Sequence, residues 1–264
     1  MMSSITLQLK RKQIVDLVGK EKRLDNRNLS DFREIEVEQG LIERAEGSAK
    51  VLLGKTEVLV GVKLEVGKPY PDTPNEGVLT VNAELVPLAS PTFESGPPNE
   101  DSIELARVVD RGIRESKAID LEKLCIIPGK KVLVIFVDVY VLNHDGNLID
   151  ASALAATAAL LNTKVFNYEL DGDEVKIESG YTQLPVKRQP IAVTFAEISS
   201  KLLVDPSIEE EHVMDARLTI TTDENGNICA IQKGGSGHFT SKQVLEIAKM
   251  AAKKAEELRK RLKW

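Results

Sequence analysis

A helix with no polar face constrains the fold of this 264-residue chain more than any other segment. Residues Ala151–Leu161 are rich in alanine and leucine, and a helix that is apolar all round must be surrounded by other elements. It follows Lys131–Leu142, a long and mostly apolar segment that predicts a strand, after the turn Asn143–Asn147. A strand and the helix after it are therefore both expected in the core.

Strands and helices alternate in both halves of the chain. Segments of β-branched residues at period two predict antiparallel strands in the first half, and similar segments predict strands in the second. The first-half strands are Ile35–Glu38, Ala49–Leu53, Val58–Leu64 and Val78–Leu85, and the second-half strands are Ile191–Glu197, Ala216–Thr221 and Ile228–Gln232. Helices are predicted at Lys10–Lys20 and after Gly234–Gly237, where Thr240 or Ser241 caps the final helix. The pattern predicts an α+β fold with two pseudo-repeated strand/helix halves.

Three arginines lie close together on a predicted amphipathic helix, Ser102–Ser116. At ~100° per residue Arg107, Arg111 and Arg114 fall within about 60° of one another, opposite an apolar face. A row of guanidinium groups suits the phosphates of a nucleic-acid backbone. The alternative is a solvated face, because Glu104–Arg107, Asp110–Arg114 and Arg111–Glu115 have the spacing of helical ion pairs.

The composition limits what such an arginine row can be part of. The net charge is −6, so the whole surface is not that of a basic nucleic-acid-binding protein, and any RNA or DNA contact must be a local patch or be completed by a partner. Neither the two cysteines nor the three isolated histidines have metal-ligand spacing, and neither a metal site nor a cofactor is expected. Met1–Glu21 lacks the apolar core of a signal peptide, and no apolar run approaches ~20 residues, which favours a cytoplasmic protein without a membrane segment.

Several motifs in order resemble the RNase PH family of phosphorolytic 3′-to-5′ exoribonucleases. They are Arg23-x-Asp25-x-Arg27, Asp31-Phe-Arg33, Glu46-Gly-Ser-Ala-x-Val51, Gly54-x-Thr56-x-Val58 and Ile103-Glu-Leu-Ala-Arg107. Asn26 stands where the family usually has glycine. Within the family, residues Asn99–Arg111 most resemble the non-catalytic RNase PH-like branch of the archaeal exosome.

The resemblance implies an organisation and a set of partners. It implies an N-terminal helix and arm at residues 1–28, RNase PH-like domains at residues 29–165 and 188–264, and a connecting segment at residues 166–187. It also implies an alternating hexamer, a trimer of heterodimers, with a catalytic RNase PH-like subunit. RNA-binding cap proteins and single-stranded RNA are the other implied partners.

The position of the family's phosphate-binding turn departs from the active pattern. Active relatives carry Asp-Gly-Gly-Ser/Thr-Arg, whereas this chain has Asp145-Gly-Asn-Leu-Ile149. The second glycine and the arginine are replaced, so we expect a tight Asp-Gly turn that caps a buried helix and holds no phosphate. Glu100 and Asp101 stand where active members have an arginine pair, and carboxylates there repel RNA.

The family's acidic pair aligns with Glu209 and Asp215. They could be a general acid and its neighbour, but their setting, Asp205–Glu211, indicates a solvated acidic turn. The glycines at Gly234–Gly237 are expected to form a turn and not an anion site.

The expected function is a non-catalytic exosome subunit without catalytic residues, in which Arg107, Arg111 and Arg114 contact RNA. Two alternatives remain open. One is an autonomous phosphorolytic nuclease that uses Glu209 and Asp215, and the other is a purely structural ring subunit without RNA contact.

Overall fold

The structure is a computed structural model that describes residues 4–262, with side chains from residue 10 onward. Its first half contains α1 (Ser4–Gly19), β1 (Ile35–Gln39), β2 (Gly47–Leu53), β3 (Thr56–Gly67), β4 (Val78–Leu85), α2 (Glu100–Glu115), a 3-10 helix (Leu121–Leu124), β5 (Cys125–Ile127), β6 (Lys131–Asn143) and α3 (Leu148–Leu161). Its second half contains β7 (Lys164–Asp171), β8 (Glu174–Gln183), β9 (Ile191–Ile198), β10 (Lys201–Val204), α4 (Ile208–Glu211), β11 (Ala216–Thr222), β12 (Ile228–Gly234) and α5 (Ser241–Arg259). The predicted α+β class is confirmed.

The first sheet is built around β6, the strand predicted from its long apolar run. The strand order is β1-β2-β3-β6-β4, and β5 pairs with one end of β6. One part of the prediction was wrong: β4 pairs with β6 in parallel, with Val78 opposite Val134, and not antiparallel. The reason is the connection, since α2 lies between the two strands and forms the crossover that a parallel pair requires.

The second half contains a four-stranded antiparallel sheet in the order β10-β9-β11-β12. Between the two sheets the chain is not an irregular connection: residues expected to be a linker form the hairpin of β7 and β8. Most side chains of β8 are exposed, so this hairpin lacks the alternating apolar pattern that marks a strand in the sequence.

The apolar helix α3 lies at the centre, as its composition predicts. It packs against β2 and β3 of the first sheet and against β9 of the second. One core cluster consequently includes Val58 and Ile135 from the first sheet, Leu154 from α3 and Phe195 from the second sheet. Burial on both sides explains why no polar residue period is visible along α3.

Helices α2 and α5 begin at residues whose side chains cap them with hydrogen bonds. The side chain of Asn99 accepts from the backbone N–H of Ser102 at 2.9 Å and caps α2, which starts at Glu100, two residues before the predicted Ser102 start. Thr240, one of the two predicted caps, forms a capping box with Gln243 at the start of α5. The first helix is longer than the predicted Lys10–Lys20 and starts at Ser4, while residues 1–3 of the predicted N-terminal arm and residues 263–264 of the second predicted domain lie outside the described part.

The arm after α1 is fixed to the second half by a buried ion pair. The guanidinium of Arg23 is paired with both carboxylate oxygens of Glu210, and the two side chains are 0% and 3% exposed. Arg23 also donates to the backbone oxygens of Val204 and Asp205, each at 2.8 Å. The prediction of a solvated acidic turn at Asp205–Glu211 was therefore wrong for Glu210, which the capping box with Ser207 and the ion pair with Arg23 hold inside.

Removing Arg23 should destabilise the protein strongly. The variant Arg23→Met leaves the carboxylate of Glu210 buried without its partner, which costs about 3–5 kcal/mol in the free energy of unfolding. Guanidinium chloride unfolding followed by circular dichroism measures this decrease. The control is Arg44→Met, because Arg44 is exposed and its side chain has no hydrogen bond or ion pair among the described residues. Equal stability of the two variants would contradict the assigned role of Arg23.

Candidate functional site

The carboxylate of Asp205 is the centre of a buried polar network beside the turn Asp145–Ile149. It accepts hydrogen bonds from Arg27 Nη1 at 2.8 Å, from Arg33 Nη2 at 2.8 Å and from Asn147 Nδ2 at 2.8 Å. Burial alone raises the pKa of Asp205, but the hydrogen bonds and charge of Arg33 outweigh it and hold this pKa below its usual value. The carboxylate is thus ionised and connects the arm, the turn and the second sheet.

The turn itself is held by its carbonyl oxygens. Arg33 donates to the oxygens of Asp145 and Gly146 at 2.6 and 3.1 Å, and the hydroxyl of Thr56 donates to Gly146 O at 2.7 Å. Gly146 has φ +92°, and a Cβ on it would lie 2.5 Å from the backbone nitrogen of Ile208. A glycine is therefore required where this turn meets α4.

Asn147 takes the place that a second glycine has in the active pattern. Its φ is 54°, and it occupies the N-cap position of α3 without a side-chain cap, so the predicted Asp145-Gly146 turn precedes the buried helix but does not supply its cap residue. Its backbone N–H donates to Glu211 Oε1 at 2.8 Å, and its side chain donates to Asp150 and Asp205. A phosphate at this helix start would need such N–H groups, and here a carboxylate occupies one of them.

A cavity of about 180 Å³ opens in front of the turn. Its lining residues combine apolar side chains with acidic ones and one arginine: Leu85, Phe93, Asp101, Glu104, Leu105, His144, Asn147, Leu148, Ile149, Thr194, Glu211 and Arg217. His144 stacks on Phe93 with ring centroids 5.4 Å apart, and burial lowers the pKa of this imidazole. Its wall carries the carboxyl groups of Asp101, Glu104 and Glu211 and one cation, Arg217, which is paired with Glu104.

Two carboxyl groups beside this cavity, the half-buried Glu211 and the buried Asp150, have unusual pKa values. Burial raises the pKa of Glu211 to about 7, against the hydrogen bond from Asn147 N–H. Burial likewise raises the pKa of Asp150 to about 7, although Thr194 donates to it from its backbone N–H at 2.9 Å and from its hydroxyl at 2.7 Å. Both groups change protonation near neutral pH.

The structure does not bring the predicted acidic pair into this cavity. Glu209 lies on α4, and Asp215 is an exposed residue directly before β11 that accepts weakly from Ser199 N–H at 3.4 Å. Glu211 lines the cavity instead, and sequence alignment by spacing missed it. The sequence does contain a signal for this. Ser207-x-x-Glu210 is a capping box, so Glu210 has a structural role and the next residue, Glu211, points to a different side of α4.

The other predicted positions have structural explanations. Glu100 and Asp101 lie in the first turn of α2, where carboxylates stabilise the positive end of the helix dipole. In the turn Gly234–Gly237, Gly237 N–H donates to Asp215 O at 2.7 Å, so the turn binds the backbone of the segment before β11. In the described range 4–262, no group of three or more His, Cys, Asp or Glu side chains could hold a metal ion, and no helix is long and apolar enough to cross a membrane.

The three arginines of α2 differ in their partners. Arg114 pairs with Asp110 through two bonds of 2.6 and 3.0 Å and donates to Leu79 O at 2.9 Å. Arg107 and Arg111 are exposed, and neither forms a hydrogen bond or ion pair with the described residues. Both line a shallow groove of about 370 Å³ together with Glu100, Ile103, Glu104, Val108 and Gln232.

Comparison with known proteins places this architecture. Domain 1 of the 3′ exoribonuclease family matches residues 31–165, and domain 2 of the same family matches residues 188–254. The chain belongs to the RNase PH family of 3′ exoribonucleases. The predicted RNase PH-like fold is thereby confirmed.

Individual relatives match nearly the whole chain. The exosome complex component Rrp42 of Pyrococcus horikoshii is 57% identical over 260 residues, which cover 98% of this chain and 95% of the relative. Rrp42 of Methanothermobacter thermautotrophicus is 50% identical over 252 residues, with 95% and 93% covered. A chain of the Archaeoglobus fulgidus exosome, solved with RNA bound to the active site, superposes with a TM-score of 0.91 at 49% identity and covers 98% of this chain and 100% of its own.

The raised pKa of Glu211 predicts a specific pH dependence of stability. An unfolded glutamate has a pKa of about 4.3, so between that value and about 7 the folded state binds more protons than the unfolded state. The stabilisation is complete below pH about 4 and is lost as pH rises through 7. Glu211→Gln cannot ionise, and its free energy of unfolding should rise relative to the wild type between pH 5 and pH 8.

Guanidinium chloride unfolding at pH 5, 6, 7 and 8 measures that difference. Glu209→Gln, two residues away and outside the cavity, is the control for the removal of one carboxylate from α4. A Glu211→Gln difference that stays constant or falls with pH would exclude the burial of an ionisable Glu211.

Proposed function

We propose that this chain is a non-catalytic subunit of an exosome, a phosphorolytic 3′-to-5′ exoribonuclease complex. In this proposal it alternates with a catalytic RNase PH-like subunit in a hexameric ring, a trimer of heterodimers. Support comes from similarity over nearly the whole chain to proteins named exosome complex component Rrp42 and to a chain of an exosome solved with RNA bound. RNA-binding cap proteins and a cytoplasmic location are part of the same proposal.

The non-catalytic role is supported by the side chains that line the cavity at the turn Asp145–Ile149. Phosphorolysis needs an inorganic phosphate beside the scissile bond, and helix N-termini hold phosphate through free N–H groups. Here Glu211 accepts the N–H of Asn147, and Asp101 adds a carboxylate to the wall. Ile149 offers no cation where the active pattern has arginine.

The RNA-contacting role rests chiefly on one observation: Arg107 and Arg111 are exposed one turn apart, and no described residue pairs with either. An acidic protein that leaves two guanidinium groups unpaired on one helix face presents a local phosphate site. Arg114 belongs to the same proposal at a lower weight, since Asp110 already neutralises it.

Ring assembly is supported by surfaces that favour burial. The edge strand β12 exposes Ile228 and Ile231 at 48% and 47% of their surface, and the hairpin strand β8 exposes Ile177 and Tyr181 at 66% and 68%. Strand edges and apolar side chains of this kind are commonly covered in an assembly. The division into domains at residues 29–165 and 188–264 remains part of the proposal.

The isolated chain should not shorten RNA. Single-stranded RNA incubated with the chain and inorganic phosphate is expected to release no nucleoside diphosphates, because no free phosphate site lies at the turn. The same RNA should be degraded once the chain is mixed with a catalytic RNase PH-like exosome subunit, and sizing should show an alternating hexamer. Diphosphate release by the isolated chain, abolished by Glu209→Gln or Asp215→Asn, would support the autonomous enzyme instead.

Replacing two arginines should weaken RNA binding by the assembled ring. On a single strand the slope of log affinity against log salt is negative, and each phosphate that the protein no longer neutralises makes it less steep by roughly 0.7. Arg107→Ala with Arg111→Ala should therefore reduce the magnitude of the slope by roughly 1.4. The decrease in affinity should be similar for different RNA sequences, because side chains that bind phosphates do not read bases. Fluorescence anisotropy at several salt concentrations measures both quantities.

Arg114→Ala is the matched control on the same face and should have a smaller effect, since Arg114 is already paired. Rings of the double variant should assemble, because these side chains lie opposite the buried face of Leu105, Val109 and Ile113. Intact rings with unchanged affinity and salt slope would favour the purely structural subunit.

A further inference from the structure

Glu104 has the spacing to neutralise Arg107 and does not do so. It lies three residues before Arg107 on α2, a separation at which helical carboxylates and guanidinium groups pair. Instead its Oε2 pairs with Arg217 Nη2 at 2.5 Å, and its Oε1 accepts from Gln232 Nε2 at 3.5 Å. Both partners come from the second sheet, Arg217 from β11 and Gln232 from β12.

The second sheet has a specific place for the guanidinium of Arg217. Gly234 is the partner of Arg217 across the β11–β12 pair, and a Cβ on Gly234 would lie 2.6 Å from Arg217 Nε and 3.2 Å from Cζ. A side chain at this position would have to displace the arginine. The glycine therefore allows the guanidinium to lie over the neighbouring strand, within reach of α2.

Glu104 and Arg107 line the same groove, so the position of this carboxylate matters for an incoming phosphate. The two side chains of the Arg217–Glu104 pair are 21% and 36% exposed, so the pair is partly buried where α2 meets the second sheet. Without Arg217, Glu104 would be free to pair with Arg107 and would place a negative charge beside the phosphate path.

We propose that Arg217 is a positioning residue for RNA binding: by holding Glu104, it keeps Arg107 unpaired and available to a phosphate. This inference rests on the proposed function, in which Arg107 contacts RNA. Arg217 acts through Glu104 and has no contact with RNA in this mechanism.

The test uses the reconstituted ring with a catalytic RNase PH-like subunit and a single-stranded RNA. Arg217→Met keeps much of the side-chain stem and removes the charge. The Glu104–Arg107 pair that would then form on the helix surface contributes up to ~1 kcal/mol. RNA must break this pair to reach Arg107, so its affinity should fall about two- to fivefold. Adding Glu104→Gln to Arg217→Met should restore the wild-type affinity and salt slope, because the competing carboxylate is then absent.

The control adds Glu246→Gln, an exposed glutamate on α5, to Arg217→Met and should give no recovery. A second route is Gly234→Ala, which displaces only the side chain of Arg217 and should also weaken binding until Glu104→Gln is added. Circular dichroism and sizing establish that the rings are intact.

The two proposals fail in different ways. If Arg107→Ala weakens RNA binding while Arg217→Met and Gly234→Ala leave it unchanged, the positioning role is excluded and the proposed function stands. If Arg217→Met weakens binding and Glu104→Gln does not restore it, Arg217 contacts RNA directly and the inference is wrong. If Arg107→Ala has no effect, the proposed RNA contact itself is excluded.

Discussion

The architecture around the site depends on a single buried charge. The carboxylate of Asp205 is fully buried, yet it stays ionised because Arg27, Arg33 and Asn147 surround it. An ionised group in such a place is tolerated only with its partners in position. Those partners come from the N-terminal arm, the segment before β1 and the turn before α3, so their relative placement follows from the need to satisfy one carboxylate.

The same network also holds the turn before α3 in place. Arg33 and Thr56 hold the turn through its carbonyl oxygens, and that part of the framework needs no phosphate. The N–H of Asn147 is taken by Glu211, a protein carboxylate in place of an external anion. The framework of the RNase PH family, with its buried ion pairs and its strand-to-helix turn, is therefore held in this chain by contacts between its own residues.

On α2, three similar side chains have different environments because of their tertiary neighbours. Arg114 has both a helical partner, Asp110, and a backbone acceptor in β4, and its pKa is raised by that carboxylate. Arg107 and Arg111 have neither among the described residues. The helical spacing places a carboxylate within reach of each arginine. Glu104, the one nearest Arg107, instead pairs with Arg217 of the second sheet.

The fold class, the central β6–α3 unit and the amphipathic face of α2 follow from the sequence, because burial imposes a periodicity of apolar residues along each element. The family motifs identify Arg23, Arg27 and Arg33 in the sequence, but they do not predict that these arginines pair with Glu210 and Asp205. The parallel pairing of β4, the exposed β7–β8 hairpin, the burial of Glu210 and the position of Glu211 in the cavity all depend on contacts between distant segments. The partner of Glu104 is the plainest case: its local neighbour Arg107 and its distant neighbour Arg217 are both arginines, and only the packing of α2 on the second sheet decides between them, because an ion pair forms where two side chains meet in space.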